Sequence, residues 1–328
     1  MKNQCVKILD CTLRDGGYVN DWYFGEKNIQ TLIENLHNSS IDYIECGFLK
    51  ECCYNKDKTF FSSILDLEKF VQGEQKYTLM VNYGEYSITN FTKCLNKNIK
   101  IRLAFKKHNQ KKALEYIKDL KDLGWDVFAN PMITNTYSKD ELEILTKELN
   151  QINPYGVSIV DTFGNMYERD VIEIFKFFDK KLHRNIALAF HSHNSLQLSF
   201  SNTKALLKLG IDRELIIDSC LYGMGRGAGN LCTELITKYM NDNFKRDYKI
   251  DWILKSINEI INPIYQESSW GYSTPFYIAA INSCHPNYAV YLVQNHFSDV
   301  EIDKIIGQIP IDKKNIFDEN FISGLAKK

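Results

Sequence analysis

Short runs of β-branched and aromatic residues alternate with stretches of helical spacing from the first residues to about residue 242. This alternation is the pattern of repeated βα units, whose strands lie parallel in one sheet. Eight such units favour an α/β fold in which eight strands and eight helices close a (β/α)8 barrel, the TIM barrel. The predicted strands cover residues 6–15, 41–49, 77–83, 99–105, 126–133, 156–162, 185–193 and 215–222.

The helical stretches are clearest at residues 25–38, 110–124 and 138–151, where Leu and Ile recur three and four positions apart and Ser138 can cap the third helix. An open doubly wound sheet is the alternative architecture. It would usually bring a glycine-rich phosphate turn after the first strand, whereas residues 10–18 read DCTLRDGGY. The closed barrel is therefore the prediction.

Beyond about residue 245 the pattern becomes purely helical, with a loop at residues 268–275. We predict a barrel over residues 1–242 and a C-terminal helical appendage over residues 243–328. No Pro/Ser-rich linker separates the two parts. We therefore expect the appendage to pack on the barrel and not to fold separately.

Charge and composition favour small-molecule chemistry. With 40 basic and 41 acidic residues the formal net charge is -1, which gives no general attraction to nucleic acid or membrane. The N-terminus has no signal-type apolar core, and no window approaches the ~20 apolar residues of a membrane helix. Nine cysteines, scattered through mostly apolar runs, suggest a reducing cytoplasm. Homo-oligomerisation is left open.

Polar residues at the predicted strand ends carry the functional signal, because reactive side chains of such barrels project from the carboxyl ends of the strands. This rule selects Arg14, Asp15, Glu45, Asn82, Asn130, Asp161, His191 and His193.

His191 and His193 lie two positions apart on one predicted strand, so both imidazoles can point to the same side. Asp15 follows a strand that ends at the same mouth and can complete a triad of ligands. Such a set with open positions suits Mn²⁺, Mg²⁺, Co²⁺ or Zn²⁺. The alternative is two unrelated histidines, one buried and one exposed.

Two further features flank this predicted metal site. Arg14 would place a fixed positive charge beside the ion, or else form a salt bridge in the barrel mouth. The loop GMGRGAGN at residues 223–230 lets the backbone approach a ligand closely at Gly225 and Gly227. Asn230 either caps the last barrel helix or lies near the metal.

The motifs DCTLRDGG, IECGF, VDTFG, HSHN and GMGRGAGN together resemble the metal-dependent aldolase and lyase superfamily. This superfamily includes 3-hydroxy-3-methylglutaryl-CoA (HMG-CoA) lyase, isopropylmalate synthase and 4-hydroxy-2-oxovalerate aldolase. The resemblance covers about residues 5–240. It implies a divalent metal, commonly Mn²⁺ or Mg²⁺, and an enolate intermediate. The matching positions are Asp15, His191 and His193 as metal ligands, Arg14 as the enolate-stabilising arginine, and Asn230 as a further ligand seen in some members. We also predict four substrate-binding residues: Glu45, Asp161, Gly225 and Gly227.

Departures from the superfamily pattern narrow the expected reaction. Gly17 and Tyr18 stand where isopropylmalate synthases carry Glu-Gln, and no Cys lies in residues 222–230, where HMG-CoA lyases carry a catalytic one. Val160 replaces the modified Lys of the carboxyltransferases. The hydroxy-oxovalerate aldolase type resembles the chain most, yet Tyr18 stands where that type has its His. Either Tyr18 acts as acid or base, or it stacks over the substrate while Asp21, His285 or a metal-bound water serves.

The resemblance therefore predicts a carbon–carbon lyase that acts on a 2-oxo acid such as pyruvate and an aldehyde. The alternatives are an acyl-CoA-dependent lyase or synthase, and a non-catalytic binding relative. We expect no dehydrogenase partner, because the tail does not match the aldolase region that contacts one. Trp270 and Tyr272 are expected in a loop over the mouth, and His285 at a helix start. Five loop lysines either meet an anionic group or are simply solvated: Lys50, Lys56, Lys58, Lys106 and Lys107.

Overall fold

Eight parallel strands close into a barrel in the computed structural model, which describes residues 5–327. The order is β1-β9-β8-β7-β6-β5-β4-β2, and pairing between β1 and β2 completes the circle. The short strand β3 pairs with β2 as an addition to the barrel. The strands are β1 (Val6–Asp10), β2 (Tyr43–Leu49), β3 (Phe60–Phe61), β4 (Lys76–Asn82), β5 (Ile99–Phe105), β6 (Val127–Pro131), β7 (Gly156–Asp161), β8 (Ala187–Ser192) and β9 (Leu215–Ser219). The predicted TIM barrel is confirmed.

The first strand is shorter than predicted, ending at Asp10 instead of residue 15. The Asp10 carboxylate accepts the backbone N–H of Thr12 at 3.0 Å and the hydroxyl of Thr233 at 2.6 Å. These bonds hold the chain in a turn just after the strand. Arg14 and Asp15 therefore lie on the loop that follows β1.

Helices cover the barrel at seven of the eight predicted connections. They are α1 (Glu26–Asn38), α2 (Ile64–Glu68), α3 (Gln110–Asp122), α4 (Lys139–Ile152), α5 (Glu168–Lys181), α6 (Ser199–Lys208) and α7 (Thr233–Phe244). The predicted cap of α4 is present, since the Ser138 hydroxyl accepts the N–H of Glu141 at 3.2 Å.

The expectation of an eighth helix was wrong. Between β4 and β5 the described chain forms only a 3₁₀ turn, Ile88–Asn90. Buried aromatic rings fill the space instead, with Phe91 5.2 Å from Tyr86 and 6.0 Å from Trp125 between ring centroids. The Trp125 indole N–H donates to the carbonyl of Thr92 at 2.9 Å. Aromatic side chains supply the large apolar area that a helix face would otherwise bury.

The C-terminal region is helical, as predicted. It contains α8 (Ile250–Ser256), a π-helical turn (Ile257–Ile261), α9 (Asn262–Glu267), α10 (Thr274–Ile281), α11 (Pro286–Gln294), α12 (Asp299–Gly307), α13 (Ile311–Lys314) and α14 (Glu319–Ala326). Helix α8 contacts α1 and α7, and its Ile253 belongs to the barrel core. Helices α10 to α14 have an apolar cluster of their own that includes Ile278, Tyr288, Leu292 and Ile306. The domain boundary at residue 242 stays a prediction.

Two expectations for the tail can be placed in the structure. The Trp270 indole donates to the carbonyl of Tyr222 at 3.0 Å, which ties the loop of residues 268–273 to the loop after β9. His285 precedes α11, and its Nδ1 accepts the N–H of Asn287 at 3.2 Å, so it caps that helix as predicted. Within residues 5–327 no helix is both long and apolar enough to cross a membrane.

Candidate metal centre

The three predicted metal ligands meet at the carboxyl end of the barrel. Asp15 comes from the loop after β1, His191 from β8 and His193 from the residue just beyond it. Their ligand atoms all lie within 4.8 Å of one another. A carboxylate and two imidazoles at this spacing can bind one divalent ion and leave coordination positions open.

Asn230 lies against this cluster instead of capping a helix. The backbone of Asn230 forms an antiparallel bridge with that of His193. The N-cap position of α7 is occupied by Cys232 and not by Asn230. The amide nitrogen donates to Asp15 Oδ2 at 2.6 Å and to the Met224 carbonyl at 3.0 Å. Its oxygen Oδ1 is buried and has no hydrogen-bond partner in residues 5–327. Because a buried acceptor is seldom left unpaired, this oxygen fits a bound cation.

Asp218 orients His191. The carboxylate oxygen Oδ2 lies 3.1 Å from Nδ1 of His191, which leaves Nε2 for a ligand. Burial opposes a charged imidazolium, but the bond to Asp218 and the charge of Asp15 outweigh it and raise the pKa of His191 to about 10. Burial lowers the pKa of His193 to about 3, with the nearby cations His191, Arg226 and Arg14 acting in the same direction. Since ligation needs an unprotonated nitrogen, metal binding at His191 would release a proton.

Arg14 links the cluster to the barrel interior. Its Nη1 donates to Asp15 Oδ1 at 2.5 Å and its Nε to Glu45 Oε2 at 2.7 Å. Burial opposes ionisation of Asp15, but the Arg14 guanidinium outweighs it and holds the pKa of that carboxyl well below its usual range. Asp15 is therefore an anion ready to bind a cation.

Glu45 continues this chain of charges inward. Its second oxygen, Oε1, accepts from Arg102 Nη1 at 3.2 Å, and Arg102 Nη2 reaches Asp218 Oδ2 at 2.5 Å. Glu45 has no exposed surface and both its oxygens are bound. Glu45 therefore positions Arg14, and its expected contact with substrate stays a prediction.

Sequence reasoning missed Arg102, Asp218 and their role. Both are charged residues inside apolar strands, IKIRLAF and LIIDS, and buried charges are rare unless they are paired. That rule predicts that Arg102 and Asp218 are each paired with an opposite charge inside the barrel.

The other predicted substrate positions have structural roles near the site. The Asp161 carboxylate accepts the N–H groups of Asn165 and Met166 at 3.0 and 3.2 Å and is 2% exposed, so it holds the loop after β7. The expected contact of Asp161 with substrate stays a prediction. A Cβ added at Gly225 would lie 2.2 Å from the Asn230 amide nitrogen and 3.2 Å from Asp15 Oδ2. Gly225 therefore lets the glycine loop lie directly on the ligand cluster. At Gly227 an added Cβ would meet Phe276 at 3.3 Å.

Tyr18 packs at the edge of the site. Its ring centroid lies 4.6 Å from that of Trp22, and the Arg226 guanidinium carbon lies 4.8 Å from the Tyr18 ring. Tyr18 is 39% exposed, and partial desolvation by the surrounding loops raises the pKa of its hydroxyl above the ordinary value. At neutral pH the group is therefore a proton donor.

Residues 5–262 match the model of the HMGL-like family. The chain belongs to the HMGL-like family. Among curated members, 4-hydroxy-2-oxovalerate aldolase of Roseiflexus castenholzii is 25% identical over 244 residues, which cover 72% of this HMGL-like chain and 70% of the relative. The protein of the same name from Geobacillus genomosp. 3 is 24% identical over 247 residues, covering 74% and 72%.

Solved structures agree on the architecture of this HMGL-like protein. The N-terminal domain of a Bacteroides vulgatus protein assigned as an aldolase is 28% identical with a TM-score of 0.75, over 88% of this chain and 96% of that one. HMG-CoA lyase of Bacillus subtilis is 18% identical with a TM-score of 0.65, over 80% and 94%. The second likeness supports the barrel fold alone.

Proposed function

We propose that this protein is a divalent-metal-dependent aldolase, a carbon–carbon lyase that acts through the enolate of a 2-oxo acid such as pyruvate. The observation that carries the proposal is the cluster of Asp15, His191 and His193, with Asn230 in contact with Asp15 and its buried amide oxygen unpaired within residues 5–327. The aldolase relatives support the reaction class. The metal, the 2-oxo acid and the physiological direction belong to the proposal.

The donor set fits a hard or borderline cation such as Mn²⁺, Mg²⁺, Co²⁺ or Zn²⁺, with Asp15, His191 and His193 as ligands and Asn230 as a fourth. When bound, the ion would act as a Lewis acid that polarises the substrate carbonyl. The chain prepares the site for it, because Asp15 is held ionised and Asp218 leaves Nε2 of His191 free.

Arg14 is the proposed stabiliser of the enolate oxygen. Two of its nitrogens are fixed by Asp15 and Glu45, and no hydrogen bond from Nη2 is found within residues 5–327. A guanidinium clamped in this way stabilises developing negative charge without having to reorganise. Glu45 accepts from Arg14 and is itself held by Arg102, so these two buried side chains fix the direction of the Arg14 guanidinium.

Tyr18 is the proposed proton donor to the aldehyde oxygen in the addition direction. Its raised pKa keeps the hydroxyl protonated, so it can supply the proton that a new alkoxide needs. The reverse step, cleavage, would start from the tyrosinate form of Tyr18, which takes up the hydroxyl proton of the substrate. The alternative is that the Tyr18 ring only stacks over the substrate. Removal of the hydroxyl alone, with the ring kept, distinguishes the two roles.

Proton exchange at the methyl group of pyruvate tests the proposal. Metal-analysed protein in D₂O with Mg²⁺ should exchange that methyl group faster than buffer with Mg²⁺, and chelation should abolish the difference. His191→Ala should lose both bound metal and exchange. No exchange above background with any of the four metals would refute the proposal.

The acyl-CoA alternative is tested alongside. The glycine loop, residues 223–229, contains no Cys, so it offers no thiol of the kind HMG-CoA lyases use. Pyruvate should raise the melting temperature of the metal-loaded protein, and acetyl-CoA should not, because only a ligand that binds the folded state stabilises it.

A further inference from the structure

A cavity of about 340 Å³ opens over the carboxyl ends of β4 to β7. Tyr18 and Arg226, which come from the loops that carry Asp15 and Asn230, form one side, and His285 and Asn315 of the C-terminal region close the other. Its lining therefore combines the loops that carry the candidate ligands Asp15 and Asn230 with the C-terminal region.

Two cations without a carboxylate partner in the described part of the chain line this cavity. Lys106 and Arg226 both line it, and neither forms an ion pair with any carboxylate in residues 5–327. The Arg226 Nε is in addition buried without a hydrogen-bond partner in that range. The single acidic residue of the lining, Glu85, lies 3.8 Å from Lys50 Nζ.

The other loop lysines give the comparison. Four of these lysines have a carboxylate partner: Lys50 pairs with Glu85, Lys56 with Glu26, Lys58 with Asp21 and Lys107 with Glu141. Of the five loop lysines noted in the sequence, only Lys106 lacks a carboxylate partner within residues 5–327, and it lines the cavity. The whole chain has a formal net charge of -1, so the excess of cations along this cavity is local.

His285 adds a neutral donor. Its Nδ1 accepts the N–H of Asn287, so its hydrogen lies on Nε2. Burial lowers the pKa of His285 to about 3, with Arg226 and Lys106 acting in the same direction, and this keeps the ring uncharged. Two fixed cations and one N–H donor are groups that recognise a carboxylate or phosphate.

We propose that this cavity binds the anionic group of the acceptor aldehyde, with Lys106 and Arg226 as the residues that select a charged acceptor over a neutral one. This inference rests on the proposed aldolase function and names its second substrate class: an aldehyde that carries a phosphate or a carboxylate. The reaction itself is unchanged, since the anionic group only anchors the acceptor.

Matched acceptors test the proposal in aldol addition with pyruvate and Mg²⁺. Glyceraldehyde 3-phosphate is compared with glyceraldehyde, and succinic semialdehyde with butanal. The charged member of at least one pair should have the larger kcat/KM, by about tenfold or more. A preference in the first pair indicates a phosphate site, and a preference in the second pair indicates a carboxylate site. The preference should weaken as salt rises, because screening acts on the exposed part of the attraction.

Variants locate the effect. Lys106→Gln should reduce the charged-over-neutral ratio by about tenfold, whereas Lys106→Arg should keep it. Lys56→Gln, a loop lysine outside the cavity, should behave as the unchanged protein. Pyruvate methyl exchange without aldehyde should be the same in all of them. Equal kcat/KM for charged and neutral acceptors, or a loss in Lys106→Gln that is equal for both, would overturn the proposal.

Binding of inorganic phosphate separates the two proposals. If the unchanged protein shows no pyruvate exchange, the aldolase function fails, and calorimetric titration of the Mg²⁺-loaded protein with phosphate then decides the cavity. Affinity that falls in Lys106→Gln and Arg226→Gln but not in Lys56→Gln supports the anion site. Affinity that is equal in all four proteins overturns it.

Discussion

Arg102 Nη2 lies 2.5 Å from Asp218 Oδ2, and both side chains are fully buried inside the barrel. Because Asp218 also contacts His191 and Arg102 also contacts Glu45, this single ion pair joins the candidate metal ligand His191 to Arg14 on the loop after β1. The two sides of the candidate site are therefore held by one network of buried charges.

Removing Arg102 should destabilise the protein strongly. Arg102→Met would leave two buried carboxylates with one fewer cation, and an uncompensated buried charge costs about 3–5 kcal/mol. Urea unfolding of the metal-free protein measures the loss. Arg169→Met is the control, because the Arg169–Glu173 pair is exposed and should contribute less than about 1 kcal/mol. Equal losses in the two variants would contradict the proposed network.

Asp218→Asn should weaken metal binding. The change removes the charge that orients His191, and such outer partners of metal ligands typically contribute about 10–100-fold in affinity. Calorimetric titration with Mn²⁺ measures the dissociation constant. Asp126→Asn, which breaks the pair with Lys100 away from the site, should leave it unchanged. An unaltered affinity in Asp218→Asn would show that His191 needs no such partner.

Gly225→Ala should disrupt the ligand cluster by steric contact. The new methyl group would lie 2.2 Å from the Asn230 amide nitrogen, so the loop or Asn230 must move. Metal content after dialysis and pyruvate exchange should both fall. Gly324→Ala is the matched control: no atom lies within 4 Å of an added Cβ there, and Ala stabilises a helix by about 0.5–1 kcal/mol over Gly. Full metal content in Gly225→Ala would contradict the described approach of the loop.

Much of the barrel could be predicted from the sequence, because strand and helix periods are local. Residues 99–105 were predicted as a strand and form β5. The missing helix between β4 and β5 could not be predicted, since it depends on how Phe91 packs against both Tyr86 and Trp125, the latter from another unit. The early end of β1 likewise depends on Thr233, which is 223 residues from Asp10 in the chain.

The site shows the same division. Asp15, His191 and His193 were found because strand ends and a two-residue spacing are visible in the sequence. The pairing of Arg102 with Glu45 and Asp218 joins three different strands. No local pattern specifies which inward-facing residues meet across a barrel. The contacts of Glu45 with Arg14 and Arg102 could not be predicted for this reason.

Tyr18→Phe should separate catalysis from packing. The variant keeps the ring against Trp22 but loses the hydroxyl, and loss of a general acid typically lowers kcat by about 10²–10⁴-fold. Pyruvate exchange without aldehyde should change little, because the hydroxyl is proposed to act on the aldehyde oxygen. Tyr272→Phe, on the exposed loop, is the control. Equal kcat in Tyr18→Phe and the unchanged protein would favour stacking alone.

Glu214 should contribute pH-dependent stability at the opposite end of the barrel. It pairs with Lys7 and accepts the hydroxyls of Tyr43 at 3.1 Å and Tyr155 at 2.9 Å. Burial opposes its ionisation, but Lys7 and the two hydroxyls outweigh it and lower the pKa of Glu214 below 4.5. A carboxyl with a lowered folded pKa stabilises the fold above its unfolded pKa and loses that contribution as pH falls through the folded value.

Glu214→Gln should therefore reduce the free energy of unfolding by about 1–2 kcal/mol at pH 7, and the difference from the unchanged protein should shrink as pH falls below about 4.5. Urea unfolding at several pH values from 7 to 3.5 measures it. Glu143→Gln, which breaks an exposed pair with Lys181, should show little difference at any pH. Because Glu214 lies far from the ligand cluster along the strands, metal content at pH 7 should stay unchanged. A stability difference that grows on acidification would mean that Glu214 is protonated in the folded protein and that its partners do not hold it ionised.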